Sequence, residues 1–218
     1  MRGHVSGPSF FMTKLRTYIY VDGFNFYYRS LKGTPYKWLD LKKLFTSLLG
    51  HQNQILKIKY FTTMVSGKYE PEKPNRQMNY IRALEQYIPE ISVYYGMFLS
   101  HPTKMPLADT KEFKLVEVIK TEEKGSDVNL AVHLLNDSWL NAYDCAVILS
   151  NDSDLSEAIH LVKEEHHKII GIATPVENPS IELIKYANFI KRIRKNILVA
   201  SQLPNPIPGT RIFKPETW

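Results

Sequence analysis

Hydrophobic and polar positions along this chain switch repeatedly between two periods. Tyr18-Ile19-Tyr20-Val21 and Cys145-Ala146-Val147-Ile148-Leu149 are short continuous apolar runs. They have the length and residue types of strands buried on both faces. Between such runs the apolar spacing relaxes to three and four. Leu41, Leu44, Phe45, Leu48 and Leu49 line one side of a predicted helix over 39–49, stopped by Gly50. Ile81, Leu84 and Ile88 do the same in a predicted helix over 71–88, with Pro89 beyond it. Further strands are predicted over 55–65, 91–99, 144–150 and 168–173, and further helices over 125–140, 153–166 and 180–187. The stretch 113–119 alternates well enough to predict one extra strand, antiparallel and at a sheet edge. Strands alternating with helices imply an α/β fold whose central, mainly parallel sheet is covered on both faces. Ligands in such sheets bind beyond the carboxyl ends of the strands, which is where chemistry is to be sought.

Composition narrows the class. With 218 residues the chain has the size of one globular domain, and a hydrophobic share of 44% argues against global disorder. The lone Cys145 excludes an internal disulfide framework and a cysteine-cluster zinc site. No apolar run reaches the ~20 residues of a membrane-spanning helix, so no membrane partner is expected. The first residues make a poor signal peptide, and a cytoplasmic location is the expectation. Residues 1–11, before Met12, read as a cloning remnant or a mobile extension, and 12–200 as the domain. Residues 201–218 form a tail with Pro204, Pro206, Pro208 and Pro215, whose Ile207, Ile212, Phe213 and Trp218 favour a packed wrap. A net charge of +6 tilts the chain toward polyanionic partners without identifying one.

Carboxylates gather at the predicted element ends. Asp22 closes the first strand, with Asn25 three residues on. Asp152 and Asp154 follow the strand 144–150, and Asp127 falls in the first turn of the helix over 125–140. Carboxylates converging on one cleft repel one another unless a cation sits among them, and hard oxygen ligands select Mg²⁺ or Mn²⁺. A divalent ion there suits phosphodiester hydrolysis. The plainer reading is that each acid caps a helix N-terminus, where negative charge is favoured anyway. Both readings stand on these residues alone.

Three ordered segments carry a family resemblance. Tyr18-Ile-Tyr-Val-Asp22-Gly23-Phe24-Asn25-Phe26-Tyr27 looks like the opening motif of the NYN domain, the LabA-like branch of the PIN-like ribonucleases. Lys124-Gly125-Ser126-Asp127-Val128-Asn129-Leu130-Ala131 resembles its second motif, and Val147-Ile-Leu-Ser150-Asn151-Asp152-Ser153-Asp154-Leu155 its third. The resemblance implies a PIN-like three-layer α/β/α fold and a metal-dependent endoribonuclease centre. Carried over, Asp22, Asp127, Asp152 and Asp154 match the acidic cluster that holds one or two Mg²⁺ or Mn²⁺ ions. Asn25 matches the family's amide, and Ser150 is placed to bond a carboxylate or a phosphate, or to cap the turn. Two positions depart: His133 stands where many relatives have Asp, and Asn151 where Gly is common. Those departures motivate the alternative of a non-catalytic RNA-binding or regulatory module.

Cations elsewhere supply candidate RNA contacts. Lys185, Lys191, Arg192, Arg194 and Lys195 form one possible backbone track, with a solvated basic face as the bland alternative. Lys68, Lys73, Arg76 and Arg82, with Tyr69 and Tyr80, form a second basic and aromatic edge. Lys124 stands near Asp127, either to neutralise developing charge or as a surface lysine. Phe24, Phe26 and Tyr27 are expected in the core rather than as base stackers. Partners beyond RNA, whether a second copy in a homo-oligomer or a regulatory protein, are compatible with the sequence.

Overall fold

The computed structural model describes residues 13–68, 70–108 and 113–218. The expected extension 1–11 and Tyr69 lie outside the described residues. Six parallel strands form the central sheet: β1 (Leu15–Asp22), β2 (Asn53–Thr62), β3 (Ile91–Tyr95), β6 (Cys145–Leu149), β7 (Ile169–Thr174) and β8 (Phe189–Arg192). Their order across the sheet is β3-β2-β1-β6-β7-β8. Helices α1 (Gly23–Phe26), α2 (Leu41–Leu49), α3 (Glu72–Tyr87), α4 (Ser126–Trp139), α5 (Ser156–Glu164), α6 (Ile181–Ile184) and α7 (Lys195–Ala200) complete the chain. The chain moves outward from β1 toward β3 and outward from β6 toward β8. The point where the winding reverses therefore lies between β1 and β6, where open α/β sheets form their binding crevice.

Two apolar layers sandwich the sheet. Ile19, Val21, Val147 and Leu149 project toward Leu41, Leu44 and Phe45 of α2 and Leu84 of α3. Their neighbours Tyr20, Ala146 and Ile148 project the other way, toward Leu130 and Leu134 of α4 and Ile159 and Val162 of α5. Strand residues alternate faces, so a continuous apolar run is what a strand covered on both sides requires. This is the α/β/α layering expected from the sequence. The layer on the α4 side holds one buried polar knot, in which Lys59 pairs with Asp137 at 2.5 Å and the Tyr20 hydroxyl donates to Asp137 at 2.7 Å. The segment after α7 packs on the other layer. Leu203 and Ile207 are buried, the Trp38 indole donates to the Pro204 carbonyl at 3.0 Å, and Trp218 stacks edge-on against Trp38. Phe213, expected to pack, is exposed.

Two expectations need correction. The strand predicted over 91–99 is interrupted at Gly96, and its second half belongs to β4 (Met97–Pro106). The extra strand is β5 (Leu115–Lys124), which pairs antiparallel with β4 alone in a separate two-stranded arm rather than at the sheet edge. Apolar alternation marks a strand but does not say which sheet receives it. Gly96 allows the break: a Cβ there would lie 2.6 Å from the Lys124 carbonyl and the Thr63 hydroxyl. Gly125, at φ 93°, turns the chain out of the arm into α4. β8 and α7 were not anticipated, because four and six residues are too few to display a period.

Candidate active site

At the end of β1 the chain turns because Asp22 caps α1. Its Oδ1 accepts the Asn25 backbone N–H at 2.9 Å. Its Oδ2 accepts the Ser150 hydroxyl at 2.8 Å, from just past β6. Ser150 Oγ in turn accepts the Asp152 N–H at 3.1 Å. Asn25 adds a second bridge, its Oδ1 accepting the Asn151 N–H at 3.2 Å. Asp152 repeats the capping pattern, with Oδ1 accepting the Asp154 N–H at 3.0 Å. Capping is thus real for Asp22 and Asp152, and it orients both carboxylates in the crevice between β1 and β6. The bland and the chemical readings are compatible here.

Asp127 comes from a third element, the first turn of α4. Burial pushes its carboxyl up to about 7, with further push from the charges of Asp22, Asp152, Glu123 and Asp154. Asp22 is 3% exposed. Burial raises its pKa as well; its hydrogen bonds from Asn25 and Ser150 oppose this, and the charges of Asp152 and Glu123 add to it. The four sequence-nominated acids therefore share one electrostatic neighbourhood, with Asp154 on its exposed side. Among the described residues no group of three His, Cys, Asp or Glu side chains is gathered closely enough to hold a metal ion. The donor set nevertheless fits a hard divalent cation in kind. It is all carboxylate oxygen, and its members oppose one another's ionisation.

Sequence reasoning missed Glu123. It sits at the root of the arm, accepting the Thr63 hydroxyl at 2.8 Å, the Ser126 N–H at 3.3 Å and the Ser126 hydroxyl. The only signal was an acid at the end of the alternating face Leu115, Glu117, Ile119, Thr121. His133 departs from the acidic cluster in its contacts as well as in type. It lies 3.2 Å from the Lys59 ammonium and packs against the Tyr94 ring, beside the Lys59–Asp137 pair. Asn151 uses its side chain to accept the Ser180 N–H at 2.8 Å, tying the turn after β6 to α6.

The cationic candidates divide. Lys191 and Arg192 lie on β8, and Arg194 and Lys195 just beyond it, with Lys185 after α6. Arg192 is ion-paired with Glu177, and Lys185 lies over the Tyr186 ring. Arg76 turns inward to pair with Glu70, and Lys124 stands 3.5 Å from Glu122. Tyr80 is a buried residue whose hydroxyl donates to the Leu39 carbonyl at 2.8 Å. Phe26 is in the core as expected. Tyr27 packs against the core while half-buried, and it and the half-buried Phe24 line a cleft beginning at Gly23, next to Asp22.

The chain's likenesses bear on its fold and family. A Vibrio parahaemolyticus protein of unknown function has the same fold, with a TM-score of 0.54 over 84% of this chain and 95% of that one at 17% identity. A Pseudomonas putida protein named 6-hydroxy-3-succinoylpyridine 3-monooxygenase HspA is 35% identical over 94% of this chain and 75% of its own length. The NYN domain profile matches residues 16–194, a span that starts in β1, ends just past β8 and takes in every acid of the crevice. With the sheet and the three motifs in that one span, the chain belongs to the NYN domain family.

Proposed function

We propose that this protein is a metal-dependent endoribonuclease that hydrolyses RNA phosphodiester bonds at the crevice between β1 and β6. What supports the reading is that Asp22, Asp152 and Asp154, from two strand ends, all act electrostatically on Asp127 of α4 near the point where the sheet's winding reverses. Asp22, Asp127, Asp152 and Asp154 would hold Mg²⁺ or Mn²⁺, with Glu123 as a fifth acid at the rim. The bound ion supplies polarisation of a phosphoryl oxygen and acidification of water near neutral pH. The chain's own part is positional. Asn25 and Ser150 lock Asp22 through both of its oxygens, so the carboxylate is oriented before substrate arrives. Burial and the neighbouring acids favour the protonated form of Asp127, and a bound divalent cation would favour its carboxylate. RNA enters across the sheet edge, with Arg194 and Lys195 as exposed cations for its backbone.

The test is cleavage of a defined RNA pool. Wild type is expected to cut with Mn²⁺ and to stop with EDTA. Asp152→Asn is expected to abolish cleavage while the circular dichroism spectrum and melting profile stay native. Equal cleavage by both proteins identifies a contaminant and defeats the proposal. Salt-dependent RNA binding by wild type with no metal-dependent products favours the non-catalytic module instead.

A second reading rests on the Pseudomonas putida relative, whose name describes oxidation of a substituted pyridine, together with the aromatic cleft beside Asp22. It predicts oxygen uptake with such a pyridine and a two-electron reductant. The turn after β1 speaks for hydrolysis. It reads Asp22-Gly23-Phe24-Asn25, presenting a carboxylate where a dinucleotide site presents glycines to a pyrophosphate.

A further inference from the structure

The cleft that starts at Gly23 has no part in the acidic chemistry described above. It is a small, partly open cleft lined by aromatic rings, two lysines and the Gln77 amide. Phe24, Tyr27 and Tyr28 form one wall, where the chain leaves α1 in a wide turn closed by the Lys32 N–H donating to the Tyr27 carbonyl at 2.8 Å. These rings are propped edge-on: Phe24 against Phe98 of the arm at 5.5 Å, and Tyr27 against Tyr28 at 5.2 Å. Tyr60 and Trp218 also line it. Lys37 and Lys73 are half-buried at the cleft and make no ion pair among the described residues. Aromatic rings and two unpaired cations in one cleft, next to a carboxylate cluster, call for a flat ring on a group that carries negative charge.

We infer that this cleft binds one unpaired nucleotide of the RNA, its base against the aromatic rings at the mouth and its phosphate at Lys37 and Lys73, beside the phosphodiester presented to Asp22. The inference rests on the RNA reading of the acidic crevice and adds a nucleotide subsite to it. Charge complementarity favours a nucleotide over a neutral ring. The acids repel every phosphate that lacks a cation, and these two lysines accept the neighbouring one. Stacking on tyrosine and tryptophan is tolerant of base identity, so the site selects unpaired over paired RNA more strongly than it selects sequence.

Trp218 is a built-in reporter. Adenosine 5′-monophosphate and uridine 5′-monophosphate, titrated into wild-type protein in EDTA, are expected to quench tryptophan fluorescence saturably. Ribose 5-phosphate and inorganic phosphate are expected to do so at least about tenfold more weakly, because the ring supplies the stacking. Tyr27→Ala should weaken adenosine 5′-monophosphate about tenfold and raise KM on single-stranded RNA with kcat retained. Lys37→Gln with Lys73→Gln should weaken the monophosphate and leave adenosine unchanged. Ribose 5-phosphate binding as well as the nucleotide, or unchanged affinity in Tyr27→Ala, overturns the inference. So does nicotinate binding with no nucleotide binding, which assigns the cleft to a small heteroaromatic acid. Because the titration needs neither metal nor turnover, nucleotide binding without RNA cleavage defeats only the hydrolase proposal. Cleavage without nucleotide binding defeats only the cleft.

Discussion

Replacing Asp127 by Asn removes one charge from the acidic crevice and nearly nothing else, which makes it the sharpest test of whether these carboxylates oppose one another. In the folded protein the carboxyl is pushed from 3.8 up to about 7, burial first and the neighbouring acids after it. That rise of about 3 pH units has a ceiling near 4 kcal/mol, at about 1.4 kcal/mol per unit. Asp127 is only half-buried, and solvent screening brings the expected figure down to about 1–2 kcal/mol. The sign follows from proton binding. Below pH 3.8 the group is protonated in both folded and unfolded chains. Between 3.8 and about 7 the folded chain keeps a proton the unfolded one has lost, so stability falls as pH rises through that window. Asp127→Asn escapes the loss. In EDTA its melting temperature should match wild type near pH 4 and exceed it by about 3–6 °C at pH 8. Millimolar Mn²⁺ at pH 8 should raise the wild-type melting temperature and close the gap, with a smaller effect on the variant. Melting temperatures that run parallel from pH 4 to pH 8 would refute the claim that the crevice is electrostatically strained.

Two further outcomes probe the scaffold around the crevice. Lys59→Met leaves Asp137 buried without its cation and should cost about 3–5 kcal/mol in urea denaturation. Lys59→Met combined with Asp137→Leu should recover most of that loss, and a double variant as unstable as the single would show that the pair is not the source. Gly96→Ala forces a Cβ to within 2.6 Å of the Lys124 carbonyl, the Thr63 hydroxyl and Glu123 Oε1. It should displace the root of the arm, destabilise the fold by about 1–3 kcal/mol and weaken Mn²⁺ binding measured calorimetrically. Unchanged stability and metal affinity would detach the arm from the crevice.

Much of the fold is legible in the sequence because burial leaves a local record. β1 and β6 are continuous apolar runs, since both faces are covered, and α2 carries its core contacts at helical spacing. The acids at Asp22 and Asp152 are legible for the same reason, each standing at the end of such a run and capping the turn that follows. The weak points are short or two-way elements. β8 is four residues, two apolar followed by two basic, and the arm strands show alternation that fits an edge strand equally well. Phe24 and Tyr27 look like core residues by type, and only the wide turn after α1 opens them to the cleft.

Residue spacing by itself determined the α/β class, the helices that cover the sheet and the four acids at element ends, because those depend on neighbours within a turn or two of the chain. Strand order depended on nothing so local. It is the placement of β1 beside β6 that lets Ser150 reach Asp22 across 128 positions, and the detached arm that carries Glu123 to the same crevice. The aromatic cleft draws its walls from α1, β2, α3 and Trp218, so no single stretch of sequence contains it. Contacts at such separations are chosen by the packing of whole layers, and only the tertiary structure records that choice.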